Sequence, residues 1–212
     1  IVSATVSGSD ISGKSYSGTD SITFTIDNTA PTVTLTDTDS DNLVSGSTVV
    51  TITATFSESM AATPTINITG EVTNAVMTAS STASVWIYPW TVSTTTSGIV
   101  SATVSGSDIS GKSYSGTDSI TFNIDNTAPT VTLTDTDSDN LVSGSNVVTI
   151  TATFSESMAA MPTINITGEV TNAVMTASST ASVWIYPWTV STTTSGIVSV
   201  TVAGEDLAGN DY

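Results

Sequence analysis

The chain has 212 residues, of which 19 are acidic, two are lysines and none is histidine, cysteine or arginine, so its formal net charge at pH 7 is −17. Two lysines cannot form a basic patch, and we therefore expect no binding of nucleic acid and no insertion into a membrane. The missing residue types remove most nucleophile–base pairs, transition-metal sites and disulfides, whereas the many carboxylates are compatible with divalent cations.

The sequence repeats itself with an offset of 98 residues. Residues 1–6 (IVSATV) return at 99–104 and, in altered form, at 197–202. A period near 100 residues is the length of a whole domain rather than of a solenoid repeat, so the sequence predicts a tandem array of globular units. An active site would need only one copy, and we expect no enzyme. Segments 1–98 and 99–196 differ at three positions, Thr25/Asn123, Thr48/Asn146 and Thr63/Met161.

Apolar and polar residues alternate with a period of two through the unit from 27 to 124, and no helical period is found. Gly, Ser, Asn and Asp lie at the joins between the alternating stretches. Seven short strands in a unit of about 100 residues predict an all-β fold of tandem seven-stranded immunoglobulin-like β-sandwiches, arranged end to end. The predicted strands are 33–35, 50–56, 66–68, 72–77, 86–90, 100–104 and 120–124.

The repeat divides the chain into three parts. Residues 1–26 are the last two strands of a preceding unit, 27–124 is a complete unit, and 125–212 is a unit that lacks its final strand. Since the chain starts without Met and inside the pattern, we expect it to be an excerpt of a longer protein. We expect the last unit to need a strand from elsewhere, and segment 19–26 of another copy could supply it by strand donation.

Up-and-down alternation of the strands assigns the loops to two poles of each unit. Loop 37–47 and the outgoing linker at 125–126 fall at one pole, whereas loops 57–60 and 106–118 fall at the other. If units follow one another end to end, acidic residues of both neighbours meet at the linker. These residues are Asp37, Asp39, Asp41 and Asp125 on one side and Glu156, Glu205 and Asp206 on the other.

Three motifs carry a family resemblance: IDNTAPTVTL at 26–35, FSESM at 56–60 and VAGEDLAGN at 202–210. With these motifs the chain resembles the bacterial immunoglobulin-like, cadherin-like tandem repeats of giant cell-surface adhesins, most of all the gliding-motility adhesin of flavobacteria. The resemblance implies a secreted spacer in an extracellular filament at the bacterial cell surface. Its partners would be the neighbouring repeats, while other regions of the parent protein would contact a cell-surface or substratum ligand.

Asp37, Asp39 and Asp41 have the alternate spacing of a calcium loop, although Asn42 and Thr48 exclude an EF-hand. The linker also resembles the calcium-binding Asp-Asn-x-Pro junctions of cadherins. We therefore predict Ca²⁺ as the cofactor; the alternative is a solvated acidic turn, which water tolerates at little electrostatic cost. The predicted ligands are Asp37, Asp39, Asp41, Asp125, Asp135, Asp137, Asp139, Glu156 and Asp206.

Trp86, Tyr88 and Trp90 alternate along one predicted strand. They could form a sugar-stacking platform, so a carbohydrate-binding module is the alternative function, but aromatic residues at such positions are more often core. Exposure of Trp86 and Trp90 would distinguish the two functions. A third function, an accessory domain of a secreted enzyme, predicts a catalytic domain elsewhere in the parent protein.

Overall fold

The computed structural model describes residues 1–16, 21–114, 116–178 and 180–212, and every regular element in these ranges is a β-strand. The predicted all-β fold is therefore confirmed. Within the same ranges, no helix is long and apolar enough to cross a membrane. Thr19 and Asp20 of the predicted donor strand lie outside the described residues.

The first strands form a separate hairpin. Strand β1 (Val2–Thr5) pairs antiparallel with β2 (Ser21–Phe24), and these two strands are the whole of their sheet. All side chains of both strands are exposed. Pairing alone therefore leaves the apolar residues of this hairpin in water.

Residues 27–124 contain a β-sandwich of two sheets. One sheet has the order β3-β5-β9-β8 and the other β4-β11-β10-β6-β7. All neighbours are antiparallel except β4 and β11, which run parallel. The strands are β3 (Val33–Thr36), β4 (Leu43–Val44), β5 (Val49–Phe56), β6 (Thr65–Ile68), β7 (Val72–Val76), β8 (Thr78–Ala79), β9 (Val85–Thr91), β10 (Gly98–Ser105) and β11 (Ile120–Ile124).

Strands β4 and β8 are additions to the seven predicted ones. Each has two residues, too few to show a period. Leu43 and Val44 pair with Asn123 and Ile124, so β4 exists only because β11 lies beside it. Val44 is 1% exposed, and its burial is the gain from this pairing.

The core lies between the two sheets and follows the period-two alternation. On β5, Ile52 and Ala54 point inward and are fully buried. From the opposite sheet, Phe122 packs against Trp90 with the ring centroids 5.2 Å apart. Burial of one such aromatic side chain is worth roughly 1.5–3 kcal/mol, and a unit without disulfides depends on contacts of this kind.

Residues 125–212 repeat the arrangement with fewer strands. The sheets have the orders β12-β13-β17-β16 and β15-β14-β18, and no described strand pairs with the second edge of β18. Leu141, the counterpart of Leu43, is 81% exposed, since it has no parallel partner. The strands are β12 (Val131–Asp135), β13 (Val147–Phe154), β14 (Thr163–Ile166), β15 (Val170–Val174), β16 (Thr176–Ala177), β17 (Val183–Thr189) and β18 (Val200–Ala203).

The two sandwiches have separate cores. Buried residues of the first lie between 33 and 124, and those of the second lie between 148 and 202. The predicted boundaries, between residues 26 and 27 and between residues 124 and 125, divide neither core. The division into 1–26, 27–124 and 125–212 stays a prediction.

Candidate metal centres at the linkers

The linker between the two sandwiches is bound to the first one by the side chain of Asn126. Its Oδ1 accepts a hydrogen bond from the backbone N–H of Gly46, and its Nδ2 donates to the carbonyl oxygens of Ser93 and Thr96. Position 46 has no room for a side chain, because a Cβ there would lie 2.6 Å from Thr94 Cα and 2.9 Å from Asn126 Oδ1. Glycine therefore permits the close approach of the linker.

Asp125 stands between the two sandwiches. Its backbone N–H donates to the carbonyl of Val44 at 2.9 Å, which extends the pairing of β4 with β11. Its own carbonyl accepts from Nδ2 of Asn210 in the second sandwich at 3.0 Å, and its Oδ1 accepts from the backbone N–H of Thr127 at 3.0 Å. One residue is thus hydrogen-bonded to both neighbours.

The carboxylate of Asp125 joins two others from the second sandwich. One oxygen each of Asp125, Glu156 and Asp206 lies within 4.8 Å of the other two. Asp125 and Glu156 are half-buried, and Asp206 is 1% exposed. We call this group the second cluster.

Backbone contacts between loops hold the second cluster together. Glu156 follows β13 and Asp206 follows β18, and an isolated antiparallel bridge joins Met158 to Asp206. The linker is fixed to the same loop, since Thr130 N donates to Ser155 Oγ at 2.9 Å and Ser155 N donates to Thr130 O at 2.9 Å. Position in the sandwich, not sequence proximity, therefore brings these carboxylates together.

The first cluster lies 98 residues earlier and consists of the counterparts of these three residues. One oxygen each of Asp27, Glu58 and Asp108 lies within 4.8 Å of the other two. Asp108 is fully buried, and its Oδ2 has no hydrogen-bond partner. A buried carboxylate oxygen without a partner costs free energy unless a ligand or a proton satisfies it.

The other oxygen of Asp108 organises its loop. Oδ1 accepts from Ser110 Oγ and from the backbone N–H of Lys112, each at 2.8 Å. Gly111 closes the turn with φ of 88°, a value that favours glycine. Because Oδ1 is occupied in this way, Oδ2 is the oxygen available to a ligand.

The clusters change the proton affinities of their members. Burial, followed by repulsion from Asp27 and Asp108, raises the pKa of Glu58. Burial, followed by repulsion from Asp206 and Asp125, raises the pKa of Glu156. Burial also opposes ionisation of Asp108, but hydrogen bonds from Lys112 N and Ser110 outweigh it and lower the pKa.

Hard oxygen ligands under mutual repulsion suit a divalent cation. Both clusters offer carboxylate oxygens only, the ligand type that Ca²⁺ and Mg²⁺ prefer. A bound cation would relieve the repulsion that raises the pKa of Glu58 and of Glu156. In the first cluster, the unpartnered Oδ2 of Asp108 offers such a cation a further acceptor.

The structure brings together three of the nine predicted ligands, Asp125, Glu156 and Asp206. No described three-carboxylate cluster contains Asp37, Asp39 or Asp41, or their counterparts Asp135, Asp137 and Asp139. These side chains instead form turns with their own backbone. Calcium at them stays a prediction without a cluster to support it.

The turn in the first sandwich illustrates this local use of carboxylates. Asp37 Oδ1 accepts from Asp39 N at 2.8 Å, and Asp39 Oδ2 accepts from Asn42 N at 2.6 Å. Asn42 has φ of 63°, which asparagine tolerates better than most residues. Asp39 and Asp41 do line a cleft with Glu205 and Asp206, so the two loops face each other, as the pole assignment requires.

Sequence reasoning missed Asp27, Glu58 and Asp108. The available signal was the repeat itself, because an offset of 98 residues maps the second cluster onto the first. The predicted ligands lie at the junction of units 27–124 and 125–212 and in the loop of Asp135, Asp137 and Asp139, so none of them lies at the linker of Asp27.

The tryptophans belong to the core. Trp86 is 9% and Trp90 2% exposed, and their counterparts Trp184 and Trp188 are 6% and 7% exposed. Trp90 Nε1 donates to Glu71 Oε2 at 3.3 Å, so its polar edge is also satisfied within the protein. The platform that a carbohydrate-binding module would require is not formed by these residues.

No family model matches the chain, and no curated protein matches it either. Its structure is similar to a solved structure of the fibronectin(III)-like modules of CbhA from Clostridium thermocellum. The TM-score is 0.43 and the sequence identity 16%, with 84% of this chain and 88% of that chain covered. The sheet orders and the two separate cores of this chain are those of β-sandwiches, as an immunoglobulin-like fold requires.

Proposed function

We propose that this chain is a structural spacer in a long, secreted filament at a bacterial cell surface, with cation-stiffened linkers between successive sandwiches. One observation carries the proposal. Asp125 is hydrogen-bonded to the first sandwich through its backbone, while its carboxylate belongs to the acidic cluster of the second.

A cation in the second cluster would fix the angle between the sandwiches. Asn126 and Val44 already hold the linker on one side. A cation held by Asp125, Glu156 and Asp206 would add the other side. Calcium is the proposed ion because it accepts irregular coordination by carboxylates, carbonyls and water, whereas Mg²⁺ demands near-ideal octahedral geometry.

The wider setting of the spacer is supported by sequence motifs. The motifs at 26–35, 56–60 and 202–210 resemble adhesin repeats, and we propose adhesion or gliding motility as the process. The partners would be neighbouring repeats of the same chain, with ligand contact made by other regions. Near-identical copies without histidine, cysteine or arginine favour a mechanical role over catalysis.

The test is a calcium titration of the 212-residue chain, followed by thermal unfolding and small-angle X-ray scattering. At a calcium concentration one hundred times Kd, binding stabilises the folded state by about 2.7 kcal/mol. We expect a higher Tm and a narrower distribution of interatomic distances. Asp206→Asn should remove the calcium response of the second cluster, and Asp108→Asn that of the first.

Two controls distinguish the clusters from acidic residues in general. Asp10 is the counterpart of Asp108 in the N-terminal hairpin region, but it is exposed and belongs to no described cluster. Asp10→Asn should keep the full calcium response. A triple Asn variant of Asp37, Asp39 and Asp41 should keep it as well, and loss there would move the site to the triple-aspartate turn. No change of Tm with millimolar calcium would leave a plain spacer without metal.

A further inference from the structure

The loops that carry Asp108 and Asp206 differ at one informative position. Lys112 occupies it in the first sandwich and Asn210 in the second. We infer that Asn210 is a positioning residue that latches the linker to the second sandwich without a cation. The Lys112 side chain does not form this latch, since Oδ2 of Asp108 has no hydrogen-bond partner. The linker at Asp27, which we call the first linker, therefore depends on a bound cation, whereas the linker at Asp125 is the second linker.

The latch consists of the amide group of Asn210. Its Nδ2 donates to the carbonyl oxygen of Asp125 at 3.0 Å and to Oδ2 of Asp206 at 2.8 Å. Both donors of the amide are therefore used, one on the linker and one on the buried carboxylate. The linker is held by a neutral group that needs no ion.

The backbones of the two loops are alike, so the difference lies in the side chain. Asp108 N donates to Lys112 O at 2.9 Å, and Asp206 N donates to Asn210 O at 3.1 Å. Both aspartates accept at Oδ1 from the backbone N–H of residue 112 or 210, at 2.8 and 2.9 Å. Asn210 satisfies Oδ2 of Asp206, whereas Oδ2 of Asp108 has no partner.

The consequence for cation dependence rests on the proposed function. In the second cluster, one buried oxygen and the linker carbonyl are satisfied before any cation binds. In the first cluster, the equivalent oxygen is satisfied only when a cation or a proton arrives. Calcium should therefore order the linker at Asp27 more than the linker at Asp125.

Hydrogen exchange of the linker amides, followed by mass spectrometry of the 212-residue chain, tests the latch. Thr130 N and Thr32 N are suitable reporters, since they donate to Ser155 Oγ and Ser57 Oγ and thus join each linker to its sandwich. Peptides that span the two linkers differ in mass, because the peptide of the first linker contains Thr25 and the peptide of the second contains Asn123.

In EDTA, Asn210→Ala should speed exchange of the second linker roughly three- to tenfold, because the two hydrogen bonds of the Asn210 amide are lost. Asn210→Lys should speed it by the same factor, which would assign the effect to the lost amide rather than to the added charge. Lys112→Asn should slow exchange of the first linker. Strand β13 serves as the internal reference and should exchange as before.

Unchanged linker exchange in Asn210→Ala, with β13 intact, would overturn the latch. If the Asn210 variants also speed exchange of β13, they report unfolding of the sandwich rather than loss of the latch. The test is then Lys112→Asn, and unchanged exchange of the first linker in this variant would overturn the inference. The cation is judged separately by adding calcium. If calcium protects neither linker while Asn210→Ala still speeds exchange, the latch stands and cation stiffening is wrong.

Discussion

Residues 1–26 and 99–124 have the same sequence except for Thr25 and Asn123, yet they differ in environment. Both form an antiparallel hairpin in the same register, with Val2 opposite Phe24 and Val100 opposite Phe122. Val2 and Phe24 are 48% and 56% exposed, whereas Val100 and Phe122 are 3% and 0% exposed. Pairing and register are thus local properties, but burial requires the opposite sheet.

The largest expected effect tests this comparison in the core. Phe122→Ala should destabilise the first sandwich by about 3–5 kcal/mol, the usual cost of truncating a buried phenylalanine. Phe24→Ala should change stability by less than about 0.5 kcal/mol, as substitutions at exposed positions do. Urea unfolding followed by tryptophan fluorescence measures the stability of the first sandwich in both variants, because Trp90 in its core contacts Phe122. Equal losses would mean that the N-terminal hairpin is buried in solution.

A smaller effect is expected at the linkers. Asn126→Ala removes the side chain bound by Gly46, Ser93 and Thr96, and it leaves half-buried partners unsatisfied. The first sandwich should lose about 1–3 kcal/mol. Asn28, the counterpart of Asn126, is exposed, so Asn28→Ala should be neutral. Thermal unfolding in EDTA compares the two variants without any contribution from cations, and a neutral Asn126→Ala would show that the linker is not clamped.

The same distinction between local and distant causes explains what the sequence could predict. Strand β5 was predictable, because the alternation of apolar and polar residues along it indicates which side chains face the core. Strand β4 was not, because its two residues pair in parallel with a strand about 80 residues later. The sheet order depends on such distant pairings, and a period of two does not specify them.

The candidate site divides in the same way. Asp125, Glu156 and Asp206 could be predicted as neighbours, since units that follow one another end to end bring the outgoing linker of the first unit to the loops of Glu156 and Asp206 in the second. The burial of Asp108 could not, because an aspartate in a loop of serine and glycine is ordinarily exposed. The sequence alone did not show that the carboxylates of the triple-aspartate turn accept hydrogen bonds from the backbone N–H groups of their own loop, and calcium at this turn stays a prediction.

The smallest expected effect concerns two turn positions whose backbone strain should not depend on the neighbouring strands. Ser47 and Ser145 are counterparts with φ of 72° and 71°, a left-handed conformation that is unfavourable for a residue with a side chain. Glycine relieves this strain, but it also increases the entropy of the unfolded chain, so each substitution should stabilise its sandwich by only about 0.5 kcal/mol. Differential scanning calorimetry of Ser47→Gly and Ser145→Gly should show equal gains in the free energy of unfolding, because the strain is stored in the turn itself.

Ser101→Gly, inside strand β10, is the matched control, and its free energy of unfolding should instead fall by about 0.5–1 kcal/mol. Unequal gains at the two turns would show that neighbouring strands influence even this backbone conformation, and the division into local and distant causes would have to be redrawn.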